Sequence, residues 1–226
     1  MNNPSASVSQ PICIRVWGDR ACFTRPEMKV ERVSYDVMTP SAARGVLEAV
    51  LWKPQMRWFV ERIDVLRPIR TASVRRNEVG TRASVDNLLA AMAGRSVRLG
   101  IEVEEERQQR AAIILRDVDY LVHARIGLTE RAGPDDPVIK YAEMFRRRAV
   151  VGQCFHRPCL GTREFAAEFA LVETDAPAPI AETRDLGWML YDIDYVRARP
   201  APLFFPARLE AGSLAVPPPH SPELRQ

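Results

Sequence analysis

The amino-acid sequence predicts an α+β fold, and three observations carry that prediction. The chain opens strand, helix, strand; two further short segments have helical apolar spacing; and its last third is made of apolar runs separated by prolines. With 226 residues, 46% of them hydrophobic and 27% charged, the chain can bury a real core without disulfides or metals to staple it.

Residues 12–17 (ICIRVW) alternate and run into Gly18-Asp19, the form of a strand entering a turn. Thr39-Pro40 then opens a helix, because threonine can cap the free amides and a proline at the first helical position gives up no hydrogen bond. Val46, Leu47, Val50 and Leu51 recur at helical spacing as a core-facing stripe, with Trp52 and Trp58 expected beside it. Lys53-Pro54 ends this helix, since the residue before a proline is pushed out of helical conformation. Residues 57–66 return to strand and Pro68 breaks it. Ser84 caps a second helix, VDNLLAAMA, closed by Gly94. Residues 97–103 and 111–126 read as two strands, with the polar EEERQQR as a hairpin tip. RAGPDDP (131–137) is a loop, 140–150 a short helix, and Gly152 to Gly161 another loop. FAAEFALV, LGWMLYDIDYV and PLFFPARL read as strands joined by turns. This order fits a ferredoxin-like, RNA-recognition-type domain over 12–150 and a smaller antiparallel β-rich part over 151–216. A disordered leader (1–11) and a flexible, proline-rich tail (217–226) flank them.

The N-terminus, MNNPSASVSQP, lacks the basic-then-apolar pattern of a secretory signal, and no apolar run approaches the ~18 residues of a membrane span, so a cytoplasmic protein is expected. The net charge is +3, and of the 32 basic residues only Lys29, Lys53 and Lys140 are lysine. Residues 67–82 and 140–165 each carry a local +4, which leaves the remainder net acidic. Arginine offers a planar fork for phosphates and a face for stacking on bases, so these segments are candidates for a phosphate-binding surface; solvated faces balanced by nearby acids would give the same composition. G-x-S-x-G, G-x-x-x-x-G-K-S/T and G-x-G-x-x-G are all missing, which argues against common hydrolase and nucleotide-binding sites. Cys154, His156 and Cys159 have a C-x-H-x-x-C spacing that is not a usual zinc pattern, and no metal or cofactor is expected. His123, within YLVHARI, reads as a strand residue.

KYAEMFRRR (140–148) remains. As a helix it brings Lys140, Glu143, Met144 and Arg147 near one another. Lys140 and Tyr141 sit where a proline–aspartate loop becomes the helix, and free amides there favour a phosphate. A lysine at that point can stabilise the extra negative charge of a pentacovalent phosphate. An ordinary amphipathic helix with a basic solvent face has the same pattern.

The stretches FTRPEMKVERVSYDVMTPSAARGVLEAVLWKP (23–54), VLRPIRTASVRRNEV (65–79) and KYAEMFRRRAVVGQCFHRPCLGTREF (140–165) closely resemble the CRISPR-associated subtype I-C protein of the fifth Cas family, d variant. The resemblance implies a ferredoxin-like RNA-binding protein that cuts the CRISPR precursor transcript within its repeats. It implies that no metal is used, and that the product stays bound by its 5′ handle inside the type I-C interference complex. The ribose 2′-hydroxyl attacks the adjacent phosphate and leaves a 2′,3′-cyclic phosphate. Partners implied are repeat RNA and the other subunits of that complex, with duplex DNA as a secondary partner and no membrane. The family's catalytic positions fall on Leu51, where its tyrosine stands, and on Lys140-Tyr141, where it has lysine and histidine. Leucine cannot move a proton, and a tyrosine with an ordinary pKa near 10 is a poor base, so slowed chemistry is expected, with Lys140, Tyr141 and His156 as the catalytic set. RNA contacts are expected from Arg25, Lys29, Lys53, Arg75, Arg76, Arg146, Arg147, Arg148 and Arg163. A non-catalytic crRNA-binding and assembly subunit, or a general nucleic-acid-binding domain, are the alternative readings.

Overall fold

A computed structural model describes residues 8–195 and 200–226. Its elements are β1 (Ile12–Ala21), α1 (Pro40–Val50), β2 (Met56–Val65), β3 (Thr71–Val79), α2 (Val85–Met92), β4 (Arg107–Leu128), α3 (Val138–Val150), β5 (Glu168–Val172), β6 (Arg184–Asp194), β7 (Ala201–Glu210) and β8 (Ser213–Ala215). The three expected helices form; α1 opens where its start signal predicts but ends at Val50, ahead of the expected Lys53-Pro54 stop. Thr39 Oγ1 accepts the Ala42 N–H at 3.3 Å, and Pro40 occupies the first turn. Beyond the helix, Leu51 turns extended (φ −149°, ψ 120°), so consecutive side chains point to opposite sides. Leu51 goes inward at 0% exposure and Trp52 outward at 57%, which corrects the expectation that Trp52 is core. The ring that does enter the core is Trp58, whose Nε1–H donates to the Leu51 carbonyl at 3.0 Å.

The chain divides into two compact units, Met1–Ala72 with Ile113–Gln226, and Ser73–Ala112. In the first, the strands are ordered β5-β1-β4-β2-β8-β7-β6, and the registered pairs are antiparallel. The short β8, which the sequence did not reveal, pairs with both β2 (Ile63↔Leu214) and β7 (Leu209↔Leu214). It makes the late strands continuous with the early sheet, so neither unit divides at residue 150. One core cluster gathers Ile14 and Val16 of β1, Trp58 and Ile63 of β2, Val122 and Ala124 of β4, the buried stripe of α1 and Phe145 of α3. Trp58 meets Phe145 edge-on at 4.6 Å.

The second unit departs from expectation. Residues 97–103 are not a strand, and β3 pairs with β4 instead. In β3 exposed residues alternate with half-buried ones and none is fully buried; among the described residues of this unit only Ala90 and Ala112 are buried hydrophobics. Such a strand carries almost no apolar signal. Residues 1–7 of the expected leader lie outside the described residues, and Ser9 N–H already bonds the Ile126 carbonyl at 2.8 Å. The tail expected to be flexible is tied back by reciprocal bonds between Phe204 and Arg225, at 2.7 and 2.8 Å, which supply backbone partners that its proline-rich sequence does not advertise.

Candidate catalytic cluster and basic surface

The loop before α3 folds on itself, with Asp136 N–H bonded to the Gly133 carbonyl at 3.1 Å and Gly133 N–H returning to Asp136 Oδ2 at 3.1 Å. That turn aims the other carboxylate oxygen at the helix start. Asp136 Oδ1 accepts from Lys140 Nζ at 3.0 Å and from the Tyr141 hydroxyl at 2.6 Å. Lys140 Nζ also lies 5.7 Å from the Tyr141 ring, within cation–π range. Pro137 begins the helix without a side-chain cap hydrogen bond, and the first turn holds no acidic residue of its own to meet the positive end of the helix dipole.

The electrostatics assign separate roles. The Tyr141 hydroxyl, the Gly133 amide and the Lys140 ammonium together hold the Asp136 carboxyl down at about 2. Burial, then the hydrogen bond to Asp136 and last the Asp136 charge push the Tyr141 phenol up to about 12. Tyr141 therefore stays protonated at neutral pH and donates; it does not act as a base. Its ring is 3% exposed, whereas the Lys140 side chain is 49% exposed, so lysine is the member that meets solvent. Sequence reasoning missed Asp136. Its signal was the Asp–Lys spacing of four across a helix start.

Other expected site residues lie elsewhere. His156 is exposed on the loop after α3, with its ring perpendicular (85°) to that of Phe155, and among the described residues no hydrogen bond joins it to Lys140 or Tyr141. Leu51, wholly buried, offers no group to a substrate. Arg148 Nη1 donates to the Val50 carbonyl at 2.8 Å, where it satisfies the end of α1, and Arg146 pairs with Glu143 at 3.0 Å. Arg147, Arg163, Lys29 and Lys53 are exposed, and Arg25 lies 4.4 Å over the Tyr35 ring. Arg75 and Arg76 lie on β3, in the second unit, where Arg75 is exposed and Arg76 half-buried. Among the described residues no group of three or more His, Cys, Asp or Glu side chains is placed to hold a metal ion, and Cys154, His156 and Cys159 form no such group.

A second polar cluster was not expected. His123 alternates with the core residues Val122 and Ala124, which turns it to the opposite face of the sheet. Its Nε2 lies 2.7 Å from Asp64 Oδ2, and Ser213 Oγ donates to Asp64 Oδ1 at 2.7 Å. The Asp64 bond is the main reason that the His123 imidazole is raised to about 9; Arg62, 3.0 Å from the same nitrogen, opposes the shift. Burial pushes Asp64 up, but its bonds from His123 and Ser213 outweigh burial and leave it below the ordinary carboxylate range.

Fold and site define an α+β protein with an antiparallel sheet, whose later helix starts on a solvent-facing lysine held by an aspartate–tyrosine pair. Residues 12–217 match the Cas_Cas5d family, described as CRISPR-associated protein (Cas_Cas5). The chain belongs to this family. It is 50% identical over 222 residues, 95% of this chain and 98% of the relative, to a Mannheimia succiniciproducens protein named CRISPR pre-crRNA endoribonuclease Cas5d. A Thermus thermophilus protein of the same name is 44% identical over 222 residues, 90% of each chain. Two solved structures share the fold: a CRISPR-associated protein at 19% identity and TM-score 0.69 (98% of this chain, 99% of that one), and a functionally uncharacterised Streptococcus mutans protein at 21% and 0.68 (97% and 98%).

Proposed function

We propose that this protein is an endoribonuclease that cuts CRISPR precursor RNA within its repeats without a metal, then holds the crRNA 5′ handle as a subunit of the type I-C interference complex. One observation carries the reading: near full length, the chain is half identical to a relative named for that activity. The strand order β5-β1-β4-β2, with α1 following β1 and α3 following β4, supports a ferredoxin-like arrangement of the early strands. Among the described residues no helix is long and apolar enough to cross a membrane; we place the protein in the cytoplasm.

The ribose 2′-oxygen attacks the adjacent phosphorus and loses its proton, and the 5′-oxygen of the next nucleotide leaves and gains one. Lys140 faces the phosphate and neutralises the charge that grows on its non-bridging oxygens, a term felt mainly in the transition state. Asp136 and Tyr141 hold that lysine at the helix start. His156 supplies an imidazole for proton transfer, and Arg25, Lys29, Lys53, Arg75, Arg76, Arg147 and Arg163 contact the RNA backbone. The test is cleavage of the cognate repeat by purified protein in excess EDTA, with the product end analysed. A 2′,3′-cyclic phosphate is expected. Tight, repeat-specific binding without any cut would instead establish the non-catalytic handle-binding reading, and equal affinity for repeat, scrambled RNA and duplex DNA would establish a general nucleic-acid-binding domain.

A further inference from the structure

We propose that Phe155 is a stacking platform for an unpaired base of the bound RNA, an inference that rests on the RNA-binding reading above. Phe155 is 86% exposed, yet its loop is fixed on both sides. Its own N–H donates to the Ala49 carbonyl at 2.8 Å, and Gln153 N–H bonds the Arg148 carbonyl at 2.9 Å. Past the ring, Pro158 is buried, and the Cys22 N–H bonds the Leu160 carbonyl at 3.0 Å. Gly161, at φ +88°, approaches so closely that a Cβ there would lie 2.0 Å from the Cys22 carbonyl oxygen. An apolar ring held out in water by an anchored backbone loses the area it could have buried. The conformation is that of a preorganised contact surface.

The identity of the occupant follows from the chemistry around the ring. His156 lies beside Phe155 at 6.0 Å and 85°, and the 86% exposure of Phe155 leaves most of its ring open to solvent. The surrounding segment, 140–165, carries a net +4, with Arg147 and Arg163 exposed. A neutral π-face within a basic segment suits a polyanion whose bases are unpaired: cations take the phosphates and the ring takes a base, without selecting which base. An apolar protein partner would not need that charge.

Cognate repeat RNA carrying 2-aminopurine at successive unpaired positions is the probe, titrated against wild type, Phe155→Ala, Phe155→Leu and Phe155→Tyr. Stacking predicts quenching at one position with wild type and Phe155→Tyr, its loss with Phe155→Ala, and a dissociation constant raised about 5- to 150-fold by alanine. The salt slope should stay unchanged in Phe155→Ala, because no phosphate contact is lost, whereas Arg147→Ala should lower it by about 0.7. Phe155→Leu binding as tightly as wild type would overturn the proposal, since leucine keeps apolar area and lacks the π-face. So would unaltered affinity in Phe155→Ala combined with lost assembly into the multisubunit complex, which would make the ring a protein contact. Failure of wild type to bind repeat RNA at all would defeat the RNA-binding reading itself, an outcome distinct from loss of stacking alone.

Discussion

Substituting Asp136→Asn tests whether the carboxylate positions Lys140, the lysine proposed to act on the phosphate. The amide keeps the shape and one acceptor oxygen but removes the charge that draws Lys140 Nζ at 3.0 Å and Tyr141 Oη at 2.6 Å. Charge-assisted bonds are roughly twice as strong as neutral ones, so both side chains loosen. Displacing a reacting group by about 1 Å costs up to roughly 100-fold in rate, and we expect single-turnover cleavage to fall about 10- to 100-fold, or ~1.4–2.8 kcal/mol of barrier. RNA affinity should hold or rise, because a negative charge leaves the phosphate site. The phenol gives an independent readout. Burial is the largest cause of the shift in Tyr141, the hydrogen bond to Asp136 the next and the Asp136 charge the third, so Asp136→Asn should lower its ultraviolet titration from about 12 while leaving it above the ordinary 10. The carboxyl itself, held at about 2 against an ordinary 3.8, contributes stability that is present above pH 3.8 and lost as pH falls through about 2. That acid limb of the melting curve should flatten in the variant. An unchanged cleavage rate beside a shifted phenol titration would refute the positioning role, and equal losses in rate, affinity and melting temperature would reduce Asp136 to a structural residue.

Lys140→Ala should lower the single-turnover rate by at least about 100-fold while changing repeat affinity by less than about tenfold, since the lost interaction belongs to the transition state; matched losses in both would place the lysine in binding alone. His123, raised to about 9 from an ordinary 6.5, contributes stability in full below pH 6.5 and loses it as pH rises through about 9, so His123→Gln should flatten the melting temperature across that window. Leu47 is 0% exposed, and Leu47→Ala should cost about 2–5 kcal/mol in denaturant unfolding, with cleavage by the remaining folded protein preserved.

The parts of the fold legible in the sequence are those where local chemistry and burial agree. Thr39-Pro40 and the Val46/Leu47/Val50 stripe fix α1, because the cap and the buried face are written within a dozen residues. β3 was missed because it has no buried face to write: Arg75, Asn77 and Val79 are exposed, and the strand is held by its pairing with β4. β8 is three residues long, and its place between β2 and β7 is a long-range pairing to which no local pattern points. The boundary expected at residue 150 followed from reading the late strands as a separate sheet, and that short strand joins them to the early one.

The site divides along the same line. Lys140 and Tyr141 could be found from sequence, since a loop-to-helix junction marks them, but their roles could not, because those depend on where Asp136 turns. A carboxylate in RAGPDDP has the composition of any turn; only the Gly133 and Asp136 hydrogen bonds commit one oxygen to the loop and leave the other for the lysine and the phenol. Those bonds bear on the departure from the implied family pattern at Tyr141. Where the resemblance implies a histidine, this chain has a phenol that burial and a carboxylate keep protonated, so the ring at this position is a donor. In the proposed reaction the proton of the 2′-hydroxyl is then taken by a group outside the helix-start cluster, or by water ordered against it, and the pH dependence of cleavage is expected to carry that group's ionisation in place of Tyr141's.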